Sequence, residues 1–126
     1  MTTANTISQL EAQLNNFSAE ERSLALTQLL EMWEVGQIPK QPESEALNVH
    51  AHSFYSYNAY GYSPSALVWL AKKHGLSVMG IVDFDTLDGV DEFLDACEKL
   101  GVRGIAGIET RVFIPEFSDK EINSPG

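Results

Sequence analysis

The chain of 126 residues reads as an α/β fold, a series of parallel β/α units preceded by a helical hairpin. Three observations carry that expectation. Apolar residues keep a helical spacing up to about residue 40, then gather into short runs separated by capped helical segments. One run, "LSVMGIVDF", is nearly all apolar, as in strands buried on both faces of a parallel sheet. The two later helical segments close on Gly75 and Gly101, each directly before a strand.

The hairpin takes residues 1–40. Ile7, Leu10, Leu14 and Phe17 recur at helical spacing and define a first amphipathic helix. "SAEE" sets a capping box, with Ser18 as N-cap and Glu21 reaching back to it. Leu26, Leu29, Leu30 and Trp33 form the stripe of a second helix that Gly36 ends. The pair reads as a packing element or as a partner-binding one. A polar stretch, "QIPKQPESE", leads through a linker at 41–46 into the β/α domain at 47–126. There "ALNVHA" is a strand near 47–50, and Ser63 with Pro64 starts a helix near 64–74. A second strand is expected near 77–83, a helix near 88–100 and a third strand near 104–113. The order β-α-β-α-β implies right-handed crossovers.

Composition excludes several classes of function. Asp and Glu outnumber Lys and Arg by 18 to 8, a formal charge of −10 that repels phosphate backbones and argues against nucleic-acid binding. No apolar run reaches the ~20 residues of a membrane span, and the polar start has no signal-peptide core. The single cysteine, Cys97, excludes an internal disulfide and fits a reducing, cytoplasmic setting. In "FLDACEKL" it reads as a helix core residue.

In parallel α/β folds, chemistry gathers at the carboxyl ends of strands. Those ends read "VHAHS", "VDFDT" and "GIETR". Side chains alternate along a strand, so His50 and His52 share one face, as do Asp83 with Asp85 and Glu109 with Arg111. Imidazole and carboxylate together suit zinc, iron or manganese. Each group also has a plainer reading. The histidines serve equally as hydrogen-bonding groups at a sheet end, Glu109 as a salt-bridge partner, and the acidic stretch after Asp83 as a solvated helix start. Arg111 suits a substrate phosphate or an ion pair with the acidic segment 88–98. His74, near a helix C-terminus, reads as structural. Three candidate clusters at three successive strand ends favour a metal site.

From Leu47 to about Ile114 the chain resembles the first half of a PHP domain, the polymerase and histidinol phosphatase family. The resemblance rests on His50, His52, Ser53, Ser56 and Pro64, then on "VDFDTLDG", then on Gly107, Ile108 and Glu109. It implies the first part of a TIM-like barrel of seven β/α units, with a metal cluster at the strand C-termini. It implies a metal-dependent phosphoesterase acting on a small phosphorylated substrate. His50 and His52 would bind one ion and Glu109 would bridge it to a second, with manganese, zinc or iron as the metal.

Two departures follow. The loop offers Tyr57 and Asn58 where the family has Asp or His, and Phe84 stands where its second-motif His belongs. Both changes strike the third ion, so two ions are expected rather than three, with Asp83 as a supporting or substitute ligand. The second departure is length. A complete barrel needs on the order of 200 residues. The chain is therefore read as the N-terminal part of a longer protein, inactive alone and open to self-association through its sheet edges. The alternative is a catalytically degenerate PHP-like module kept for binding or scaffolding.

Overall fold

The computed structural model describes residues 2–120. Helix α1 spans Thr3–Gln13, capped by the Thr2 side chain, and α2 spans Ala19–Glu34. Ser18 caps α2 as expected, its Oγ accepting from Glu21 N–H at 3.3 Å. The reciprocal half of the capping box is replaced, because Ser18 N–H donates to Asn16 Oδ1 at 2.8 Å. Phe17 does not continue the α1 stripe. The helix ends at Gln13, and Phe17 stands 92% exposed, its ring stacked 5.9 Å from that of Phe54.

The hairpin shares its core with the rest of the chain. Leu10, Leu14, Leu26, Leu29 and Trp33 are buried in one cluster with Trp69, Phe93 and Leu100. Trp33 meets Trp69 edge to face at 6.0 Å, and Glu11 accepts from Trp69 Nε1 and Lys73 Nζ. Arg22 is buried between the two parts, paired with Glu92 and donating to the carbonyls of Asn16 and Phe17. The change of pattern at residue 40 is thus not a gap in packing.

Beyond the hairpin come β1 (Leu47–Asn48), α3 (Pro64–Lys73), β2 (Val78–Phe84), α4 (Val90–Leu100), β3 (Arg103–Glu109) and a 3-10 turn at Pro115–Phe117. The three strands lie in the order β1-β2-β3, all parallel. Ser63 caps α3 by accepting from Ala66 N–H, and its hydroxyl donates to the Leu14 carbonyl at 2.5 Å. Helix α4 begins at Val90 rather than 88, behind Gly89, without a side-chain cap. No helix among the described residues is long and apolar enough to cross a membrane.

Two strands are shorter than expected. Asn48 Oδ1 accepts the His50 N–H at 3.0 Å, taking a donor the ladder would have used. Val49 also passes directly over Gly80, so close that a Cβ there would lie 2.6 Å from Val49 Cα. Regular pairing of β1 therefore stops at Asn48, although Val82 N–H still reaches the Ala51 carbonyl at 2.9 Å. Strand β3 ends at Glu109, leaving Arg111 outside it. In β2, alternation puts Met79, Ile81 and Asp83 towards the helices, where all three are buried. Phe84, on the other face, is exposed, so this sheet is covered on one side among the described residues, not on both.

Candidate metal centre

The registers explain which side chains meet. Phe84 pairs with Glu109 and Asp83 with Ile108, so Phe84 and Glu109 share the open face while Asp83 points to the helices. The segment after β1 brings His50 and His52 over that same face. Glu109 Oε2 lies 3.0 Å from His50 Nε2 and 3.3 Å from His52 Nε2. One ligand atom from each of the three residues falls within 4.8 Å of the others.

The two histidines differ in surroundings. The His50 side chain is 67% exposed and that of His52 18%. The His52 ring stacks on Phe84 at 4.3 Å and 10°, and meets His50 edge to face at 5.3 Å. Phe84 therefore stands beside the cluster, stacked on one of its members.

Asp83 is not part of the cluster. It is 3% exposed, and its two oxygens accept from Ser53 N–H (2.5 Å), Ser53 Oγ (2.6 Å) and Ser56 Oγ (2.9 Å). Those bonds tie the loop after the histidines to β2. Expecting Asp83 as a substitute ligand failed because alternation says which residues of a strand share a face, not which face meets the neighbour's cluster. Asn58 is likewise committed to the loop. Its Nδ2 donates to the His52 carbonyl at 2.8 Å, and its Oδ1 accepts from Tyr60 and Tyr62 N–H. Tyr57 is exposed, on the wall of a cavity of ≈ 470 Å³ that His50, His52, Tyr60, Leu70 and Met79 also line. Arg111 is exposed and makes no ion pair among the described residues, so the alternative of a pair with the acidic segment 88–98 is not formed there.

Sequence reasoning gave Ser53 and Ser56 no work beyond a motif match, yet they satisfy the buried Asp83. The signal available was the pairing of types: a carboxylate in an apolar strand needs donors whichever face it takes, and hydroxyls in the loop after the neighbouring strand can supply them. Asp85 was also underread. It turns the chain at the end of β2 with φ 55°, its N–H donates to the Glu109 carbonyl, and its Oδ1 accepts from Thr110 Oγ1 at 2.7 Å.

The sequence profile of the PHP domain matches residues 48–124. The chain belongs to the PHP family. This PHP chain is 35% identical over 78 residues to an error-prone DNA polymerase of Cutibacterium acnes, covering 62% of itself and 7% of the polymerase. It is 36% identical over 62 residues to a 5'-3' exoribonuclease of Haemophilus influenzae, covering 49% of itself and 22% of that enzyme. A solved structure from Bifidobacterium adolescentis, provisionally assigned as a metal-dependent phosphoesterase, aligns over 56% of this chain and 24% of that one. Its identity is 33% and its TM-score 0.49. The PHP chain thus spans less than a quarter of the length of these relatives. Two imidazoles and a carboxylate converging on one point are a donor set that fits a divalent ion.

Proposed function

We propose that this PHP chain contributes the first metal ligands of a phosphoesterase that hydrolyses a small phosphate ester. One observation carries the proposal: His50, His52 and Glu109, from two strand ends, bring their ligand atoms within 4.8 Å. In the proposal His50 and His52 would hold a divalent ion, of manganese, zinc or iron, and Glu109 would supply a carboxylate to it and to a second. Two ions rather than three are expected, because Phe84 covers His52 and Asn58 is spent on the loop. Bound ions would supply Lewis acidity and a water of lowered pKa.

The chain's own groups do the rest. Arg111, two residues past Glu109 and without an ion partner among the described residues, would pair with the substrate phosphate in bidentate fashion. The cavity beside the histidines takes the organic part of the ester. A charge of −10 disfavours a long polyanion, so a small ester is preferred over nucleic acid. The resemblance to a 5'-3' exoribonuclease makes an oligoribonucleotide the comparison substrate. The same committed Phe84 and Asn58 favour the second reading, a degenerate module kept for binding or scaffolding.

Protein carrying this chain, loaded with manganese or zinc, is expected to release phosphate from small esters faster than it releases mononucleotides from the oligoribonucleotide. Chelation stops the release and added metal restores it. His50→Ala and Glu109→Ala lose both metal and activity while the fold persists. Protein that holds no metal by elemental analysis and releases neither phosphate nor nucleotide would establish the scaffold reading instead.

A further inference from the structure

We infer that the organic group accepted beside the histidines is an apolar aromatic ring, with Tyr57 and Tyr60 as its specificity-determining residues. The cavity of ≈ 470 Å³ falls in the size range of small-molecule sites. His50 and His52 form part of its wall, so an ester whose phosphate sits at their cluster has its organic group within reach of the cavity. Away from the histidines the wall is rich in carbon, with Leu67 and Leu70 from α3 and Met79 from β2. In a chain of formal charge −10, no carboxylate lines this cavity among the described residues.

Tyr57, Tyr60 and Tyr62 add their side chains to this wall, and their loop is tied down. The Phe54 N–H donates to the Tyr62 carbonyl at 2.7 Å, and the Gly61 N–H to the Asn58 carbonyl at 3.0 Å. Asn58 Oδ1 accepts from the N–H groups of Tyr60 and Tyr62. The Tyr60 ring lies against that of Tyr62, 5.5 Å between centroids and 24° from parallel. Tyr57 and Tyr60 nonetheless stay 72% and 79% exposed. With backbone held and rings in water, they offer flat contact area that loses little conformational freedom on binding. A planar ring can stack on such faces. A sugar or polyol is poorly served, because each buried hydroxyl needs a partner. The Asn58 amide is spent on three hydrogen bonds, and Asn48 Oδ1 is taken by the His50 N–H.

The inference rests on the phosphoesterase reading for the phosphate but not for the ring, so the ring is tested first and without metal. Benzyl alcohol and glycerol are titrated separately into metal-free protein labelled with 15N and methyl 13C. Benzyl alcohol is expected to shift the methyl signals of Leu67, Leu70 and Met79 and the amides of Tyr57 and Tyr60, and glycerol to leave them in place. Metal-loaded protein then receives benzyl phosphate and glycerol phosphate, whose leaving alcohols are of similar acidity, and kcat/KM favours the benzyl ester. Tyr57→Ala and Tyr60→Ala each weaken benzyl alcohol binding and lower that preference about 2–10-fold, the range for one aromatic pair, whereas Tyr57→Phe and Tyr60→Phe keep both. Both side chains are exposed, so the variants retain the core. Cavity signals that benzyl alcohol does not move, or that glycerol moves equally, overturn the inference. So does benzyl alcohol binding unchanged in both alanine variants. Benzyl alcohol seated in the cavity of a protein that hydrolyses neither ester would uphold the aromatic site and count against the phosphoesterase.

Discussion

Removing the Arg22 side chain tests whether the N-terminal hairpin is integral to the fold. Arg22→Ala deletes four hydrogen bonds, two to Glu92 and one each to the carbonyls of Asn16 and Phe17. The side chains are 2% and 20% exposed, so this is not a solvated surface pair. Glu92 keeps its bonds to Ser65 N–H and Oγ, at 3.2 and 2.8 Å, but loses its cation. Breaking a buried pair from one side costs about 3–5 kcal/mol. With a urea m-value of about 2 kcal/mol/M, the unfolding midpoint falls by about 1.5–2.5 M. Circular dichroism at 222 nm and tryptophan fluorescence should move together, because Trp33 of the hairpin and Trp69 of α3 touch in one core. In the double variant with Glu92→Gln the losses should be less than additive, with a coupling of about 0.5–3 kcal/mol. A cost below about 1 kcal/mol, the level of an exposed pair, would refute the reasoning and make the hairpin peripheral.

Phe84→His should raise bound metal by one ion, with Phe84→Leu as the control in elemental analysis. Unchanged stoichiometry would mean that more than one ring was lost from the third site. Asn58→Asp or Asn58→His is expected instead to loosen the loop, because the Asn58 amide already makes three hydrogen bonds. Burial pushes the Cys97 thiol up to about 11. The folded form keeps a proton that the unfolded chain releases above about 8.5, so this stability is full below that pH and is lost as pH rises through about 11. Urea midpoints measured from pH 8 to 11 should fall more steeply in the parent protein than in Cys97→Ala, and equal slopes would contradict the assignment.

The parallel order of the strands was legible because every crossover helix carries its own punctuation: Ser63 and Pro64 before α3, Gly75 after it, Gly101 after α4. His50, His52 and Glu109 were legible because strand ends are where a parallel sheet presents side chains. What could not be read depends on contacts between segments. The early end of β1 needs both the Asn48 side chain and the backbone passing over Gly80. The face taken by Asp83 depends on the β2–β3 register, which a single strand does not encode. Phe17 looked periodic because spacing ignores where a helix stops, and Asn58 looked like a vacant ligand position because its loop partners are backbone groups.

The crossing of Val49 over Gly80 limits how this lineage can change. Every amino-acid-changing mutation of a glycine codon that does not create a stop adds at least a Cβ, and here that atom would lie 2.6 to 2.8 Å from three backbone atoms of Val49. No flexible side chain is available to yield; the displaced atoms are the main chain next to His50. Position 80 is therefore a site where drift has no small steps, and a substitution in the sheet interior would be read out at the histidine rather than where it occurred.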